Sequence, residues 1–178
     1  MGYYMRGSGA GKMLQLTDEQ RKDLANAVRS AAGVDALSEA IGELYRRVQD
    51  EIDRRRPACA ISGRCCRFEE YGHRLFVTTI ELAVFSRQLL ALPIRNATTP
   101  WDGQGCPFQV KGLCGVHSIR PFGCRAFFCD PTATQWMEAL YEQFHAELRR
   151  LHEQHEIPYF YVEWRQGLAA MGLDKELL

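Results

Sequence analysis

Seven cysteines, at positions 59, 65, 66, 106, 114, 124 and 129, constrain this chain more than any other feature. All of them lie between residues 59 and 129, and the flanks carry none. An odd number of thiols cannot all pair within one chain. The N-terminus lacks the basic, then apolar, then small-residue order of a secretory signal. The expected compartment is therefore a reducing cytoplasm, where such a density of thiols points to metal binding or redox chemistry rather than a disulfide framework. With 178 residues the chain can bury a core without covalent staples, so its cysteines need another reason to exist.

Charge and hydropathy narrow the remaining classes. The formal net charge is +0, which leaves no strong nucleic-acid signal. Within the cysteine-bearing stretch the basic residues Arg64, Arg67, Arg74, Arg87, Arg95, Lys111, Arg120 and Arg125 outnumber the acidic Glu69, Glu70, Glu81 and Asp102. Nearby cations favour thiolates and lower their pKa. The densest apolar run, from Leu89 to Ile94 with a proline inside, falls far short of the ~18 residues a membrane span needs, so no membrane association is expected.

Hydrophobic periodicity places helices on both sides of the cysteines. Residues 1–16 are rich in glycine and serine and read as a flexible tail; residues 17–178 read as a single domain with a cysteine-cluster core at 59–129. Thr17 and Gln20 form a capping box for a helix running to about Ala32, with Gly33 as its stop. A second helix is predicted from Asp35 to Arg55, its stripe made by Ile41, Leu44, Tyr45, Val48 and Ile52. After a short extended piece at Leu75 to Thr78, Thr78 and Glu81 open another helix to about Leu90. Residues 91–133, with Pro93, Pro100, Pro107, Pro121 and Pro131, read as loop; so long a stretch is expected to be organised by a bound metal. Met137, Leu140, Tyr141, Phe144, Leu148 and Leu151 mark a helix from about Thr134 to His155. PYFYVEW, at 158–164, is expected to start a short final helix ending near Gly172. The fold expected is mainly α, with helices wrapped around a cysteine-rich, loop-built metal-binding centre and little β structure.

The second group of cysteines reads CPFQVKGLC, then GVHSIRPFGCRAFFC. With Cys65-Cys66, VTTIEL at 77–82, Cys106-Pro107-Phe108, Cys114 and Arg120-Pro121-Phe122-Gly123-Cys124-Arg125, the chain resembles the YkgJ-like C-x-x-C-x-x-C-C family of zinc- or iron-chelating cysteine-cluster proteins. A similar cysteine domain occurs in flagellin lysine methylating enzymes, but they are larger, and no S-adenosylmethionine motif is found in this chain. The resemblance implies a metal held by the cysteines. One position departs from it: Cys59 takes the first place of the hallmark and Ser62 the second. His117 stands where the family commonly has tyrosine.

The expected ligand set is Cys59, Cys65, Cys66, Cys106, Cys114, Cys124 and Cys129. Zinc takes four tetrahedral ligands, which Cys106, Cys114, Cys124 and Cys129 could supply, leaving the other three with His73 or His117. An iron-sulfur cluster, of the 4Fe-4S type, suits adjacent cysteines better because its irons face different directions. Iron-sulfur is the preferred expectation and zinc the alternative. Arg120 and Arg125 flank Cys124 and could hold a cofactor or an anionic substrate, or simply pair with the cluster. His152, Glu153, His155 and Glu156 miss the H-E-x-x-H spacing and read as a helix-surface cluster. Three functions follow. They are an iron-sulfur oxidoreductase or transferase acting on an unknown small-molecule or protein substrate, a zinc-stabilised binding module, and a metal-free thiol redox sensor. The last would use Cys65-Cys66, and the strain of a disulfide between sequence neighbours counts against it.

Overall fold

The computed structural model describes residues 15–59, 63–92, 101 and 103–173. Expectations for the first 14 residues of the tail, Ser62, Pro93, Arg95, Pro100 and Asp102 lie outside the described residues. Helix α1 (Asp18–Ala32) starts on the capping box, with the Gln20 N–H donating to the Thr17 hydroxyl and the Thr17 N–H donating to the Gln20 amide oxygen. It ends at Gly33, which stays right-handed at φ −80° and does not use the freedom a glycine offers. Helix α2 (Asp35–Arg55) buries Ile41, Leu44, Tyr45, Val48 and Ile52 on the stripe read from the sequence. It is Arg56, not a glycine, that turns left-handed to end it, at φ 48°.

The centre of the fold is helix α4 (Thr79–Ala91), which follows a short helix α3 (Phe68–Tyr71) and a strand β1 (Phe76–Thr78). Every residue of α4 from Thr79 to Phe85 is buried, as a helix enclosed on all sides requires. Helix α1 packs along it, α2 lies against another side, and α2 also meets the long helix α6 (Thr134–Gln154). Between α4 and α6 the chain forms a two-residue hairpin, β2 (Gln109–Val110) with β3 (Leu113–Cys114), and a one-turn helix α5 (Phe122–Arg125).

One element and one residue differ from expectation at the C-terminal end. PYFYVEW does not open as helix: Tyr161–Glu163 is a strand, β4, paired antiparallel with β1 in the register Phe76↔Glu163, Val77↔Val162 and Thr78↔Tyr161. Its aromatic residues and Val162 suit a strand, and the pairing partner lies more than 80 residues away, beyond the reach of local periodicity. Helix α7 (Trp164–Ala170) then starts on Glu163, whose carboxylate accepts from the N–H groups of Arg165 and Gln166. His152 is no surface residue either. It is 2% exposed, with Nδ1 against the Ile157 carbonyl at 3.1 Å.

The protein is mainly helical with little β structure, but the metal-binding centre expected at its heart is corrected. Among the described residues, no group of three or more His, Cys, Asp or Glu side chains is arranged to hold a metal ion. The physical reason lies in what organises the 101–133 stretch. Phe108 packs edge-on to Phe85 at 5.2 Å, and Phe85 in turn meets Trp164 at 4.8 Å. Phe122 stacks at a tilt on Tyr141, 4.9 Å away, and faces Phe144. Buried aromatics carry large apolar area into the core, and here they hold the loop that a metal was expected to hold.

Candidate functional site

Each half of the cysteine-rich region is pinned next to a thiol. Phe68, Phe108 and Phe122 are each 2% exposed or less, and each sits two residues from a cysteine: Cys66, Cys106 and Cys124. Glycines then allow the pinned segments to touch. A side chain at Gly105, whose φ is +61°, would place its Cβ 2.6 Å from the Cys66 carbonyl oxygen. Across that close approach the Cys106 N–H donates to the Cys66 carbonyl at 2.8 Å. Gly63, at φ +64°, approaches the Gly112 carbonyl so closely that a Cβ would lie 1.9 Å from its oxygen. The Gln109 amide ties the same junction, donating to the Gly63 carbonyl at 3.1 Å.

An ion-pair chain braces the loop from the other side. Arg165 joins Glu163 at 2.9 Å and Glu69 at 2.5 Å, and the second Glu69 oxygen accepts from the Gly105 N–H at 2.7 Å. Glu81, buried in the first turn of α4, accepts from the Thr78 N–H and hydroxyl and from the Phe122 N–H, each at 2.9 Å. One carboxylate thereby closes the start of α4 and fixes the segment that carries Cys124.

The result is a contact group of thiols. Cys66 interacts with Cys65, Cys106 and Cys114, which places these four thiols beside one another. Cys124 lies close enough to feel the charge of Cys106, Cys114 and Cys65. Cys59 and Cys129 are exposed; Cys129 senses both Cys65 and Cys59. All seven thiols are free. The structure therefore gathers Cys65, Cys66, Cys106, Cys114 and Cys124 and leaves Cys59 and Cys129 at the edge.

The group is electrostatically uneven. Hydrogen bonding from Cys66 lowers the Cys65 thiol to about 6 against the effect of burial, helped by the Arg120 charge and nearby backbone N–H groups. The same donor brings Cys114 down to about 7. Cys66 is pushed up by its hydrogen bonds to Cys106, Cys114 and Cys65, and burial pushes Cys124 up. Two half-buried thiols, Cys65 and Cys114, thus ionise more readily than Cys66 and Cys124 beside them, the asymmetry nucleophilic thiol chemistry needs.

The two arginines have different surroundings. Arg120 donates to the His117 ring nitrogen, and its buried Nε has no hydrogen-bond partner. Arg125 donates to the carbonyls of Arg120 and Ser118 at 2.8 and 2.9 Å, and its guanidinium lies 4.4 Å from the Tyr45 ring centroid. His73 stands beside Cys65, its Nε2 3.3 Å from the Cys65 carbonyl. Sequence reasoning missed the bracing roles of Glu69 and Arg165, the bond from the Phe122 N–H to Glu81, and the place of His73 beside the Cys65 carbonyl. The spacing of phenylalanine two residues from a cysteine, and of glycine one or two residues before Cys65, Cys106, Cys114 and Cys124, was the available signal for the junction itself.

The fold and site define a small helical protein with a partly buried, asymmetric thiol group. No family model matches the chain, and neither does any curated protein or solved structure. The YkgJ-like resemblance is corrected accordingly, and with it the iron-sulfur and zinc expectations, which no arrangement of ligands among the described residues supports. Among those residues no helix is long and apolar enough to cross a membrane.

Proposed function

We propose that this protein is a thiol redox protein, in which one cysteine of the 64–66 turn joins reversibly to Cys106, Cys114 or Cys124. The observation that carries the reading is the contact of the Cys66 thiol with those of Cys65, Cys106 and Cys114. Exchange with a small-molecule disulfide balances without any further reactant. The Cys65 thiolate attacks one sulfur of the oxidant, whose other sulfur leaves with the bonding pair and takes up a proton. A second protein thiolate then attacks Cys65 in the mixed disulfide and expels the remaining half. Two protein thiols are oxidised, one small disulfide is reduced to two thiols, and the protons are conserved. A Cys65–Cys66 bond is disfavoured by the geometry of adjacent residues, whereas the loop cysteines approach through space.

Arg120 serves as the counter-charge that favours thiolate at Cys65 and Cys114, and Arg125 as the residue that positions the 118–120 backbone. A reducing compartment such as the cytoplasm fits seven free thiols. A single folding unit over 17–178 fits the continuous core running from α1 to α7.

The test equilibrates the full chain in buffers of graded oxidised and reduced dithiothreitol, followed by alkylation and peptide mapping. The expected product is one disulfide joining Cys65 or Cys66 to Cys106, Cys114 or Cys124. Full reduction across the whole range, or oxidation confined to Cys59, Cys129 and links between molecules, overturns the reading.

A further inference from the structure

We propose that the oxidant suited to this site is hydrogen peroxide, admitted to a crevice between Cys65 and Cys124 and hydrogen-bonded there by His73. The proposal rests on the thiol redox reading and names its substrate class. The crevice is lined by Cys65, His73, Leu75, Gly123, Cys124 and Phe127, among others. The crevice is partly open to solvent, and its water-accessible space is about 10 Å³, the lower limit for a single water-sized molecule. Hydrogen peroxide, two joined oxygens, is the thiol oxidant nearest that size; an arylalkyl hydroperoxide or a peptide disulfide is several times larger. Gly123 forms one wall, and a Cβ there would come 2.5 Å from Leu75 Cδ1.

His73 supplies the polar atom. Its ring is stacked on Phe127 at 4.7 Å and held edge-on to Phe68 at 5.3 Å, so its orientation is set by packing. Nε2 faces the Cys65 carbonyl, which can only accept, and must therefore carry the ring proton. Burial keeps the ring neutral. Nδ1 is left as a lone-pair acceptor, buried and without a partner, on a residue 7% exposed. A buried acceptor without a donor is costly unless something else meets it. Water can, and so can the O–H of a peroxide seated beside Cys65.

The chemistry balances with the peroxide as sole oxidant. The Cys65 thiolate attacks one oxygen, the O–O bond breaks, and the departing hydroxide takes a proton to become water. Cys65 is now a sulfenic acid. Cys124, after losing its proton to solvent, attacks the Cys65 sulfur and displaces hydroxide, which is protonated to a second water. Two thiols and one peroxide become one disulfide and two waters.

The experiment uses the full, reduced chain and compares hydrogen peroxide, cumene hydroperoxide and oxidised glutathione at equal concentration, following loss of free Cys65 by quenched alkylation. Hydrogen peroxide is expected to react at least tenfold faster than cumene hydroperoxide and to yield a Cys65–Cys124 disulfide. In Cys124→Ser the expected product is a dimedone-trapped sulfenic acid at Cys65. His73→Phe, which keeps an aromatic ring between Phe68 and Phe127, should slow the peroxide reaction at least fivefold while changing iodoacetamide alkylation of Cys65 less than twofold. Equal rates with the bulky hydroperoxide overturn the proposal, as does a His73→Phe variant that is unaffected or slowed equally toward both reagents. If glutathione or dithiothreitol forms the cross-loop disulfide but peroxide shows no preference, only the peroxide assignment falls. If no oxidant forms it, the redox reading falls too.

Discussion

At the scale of single residues, Cys65 and the two junction glycines decide the character of the site. The thiolate is the nucleophile, so the rate of Cys65 alkylation follows its ionisation. With Cys65 lowered to about 6, its rate with iodoacetamide should rise through that pH and be level by neutrality, while Cys124, pushed up by burial, should still be slow there. Site-resolved mass spectrometry from pH 4.5 to 9 checks this; a Cys65 midpoint near 8.5 would remove the hydrogen bond from Cys66 as the governing effect. Gly63 is a steric matter. Alanine there would need a left-handed backbone and a Cβ far inside van der Waals contact with the Gly112 oxygen. Gly63→Ala should cost more than about 2 kcal/mol, from backbone strain and the displaced contact together, read from urea unfolding. Gly72 is also left-handed, but a Cβ there would meet nothing within 4 Å, so it should lose less when changed to alanine.

At the scale of elements, short segments are held by residues belonging to longer ones. The hairpin β2–β3 and the one-turn α5 are too short to be stable alone. Phe108 and Phe122 anchor them, and Glu81 and Glu69 satisfy backbone N–H groups that their turns leave open. The Glu163–Arg165–Glu69 chain couples α7 to the loop before Cys106. Such partly exposed networks contribute about 1 kcal/mol. Arg165→Ala should therefore raise the local opening of the 103–106 turn and speed alkylation of the buried Cys106 about fivefold, with little change at the exposed Cys59. Equal acceleration at every cysteine would instead indicate global unfolding. Both capping boxes are legible in the sequence because they rest on residues three apart: Thr17 with Gln20, and Thr78 with Glu81. The strand β4 is not, because its partner β1 is distant in the chain.

At the scale of the whole molecule, acid should destabilise the fold through its buried histidines. Burial, with the charge of Arg149 and His152, lowers His145 from 6.5 to about 4, and burial lowers His73 and His152 as well. Between those values the unfolded chain binds more protons than the folded one, so stability is fully present above about pH 6.5 and declines as pH falls toward 4. Glu81, raised by burial, works in the opposite direction as its carboxyl takes up a proton, but it is one group against three. Thermal midpoints should fall steadily from pH 6.5 to 4.5, and His145→Gln should flatten that slope; a flat profile in the unmodified protein would show that the histidines are accessible to water when folded. By itself the sequence determined the helices α1, α2, α4 and α6 and the apolar faces they bury, because those depend on spacings of three and four residues. It also marked the cysteines as the centre of interest. Only the tertiary structure decided what that centre is. Contacts of Phe108, Phe122, Gly63 and Gly105 across long loops set which thiols meet: they bring Cys65, Cys66, Cys106, Cys114 and Cys124 together, with no metal-holding group among the described residues.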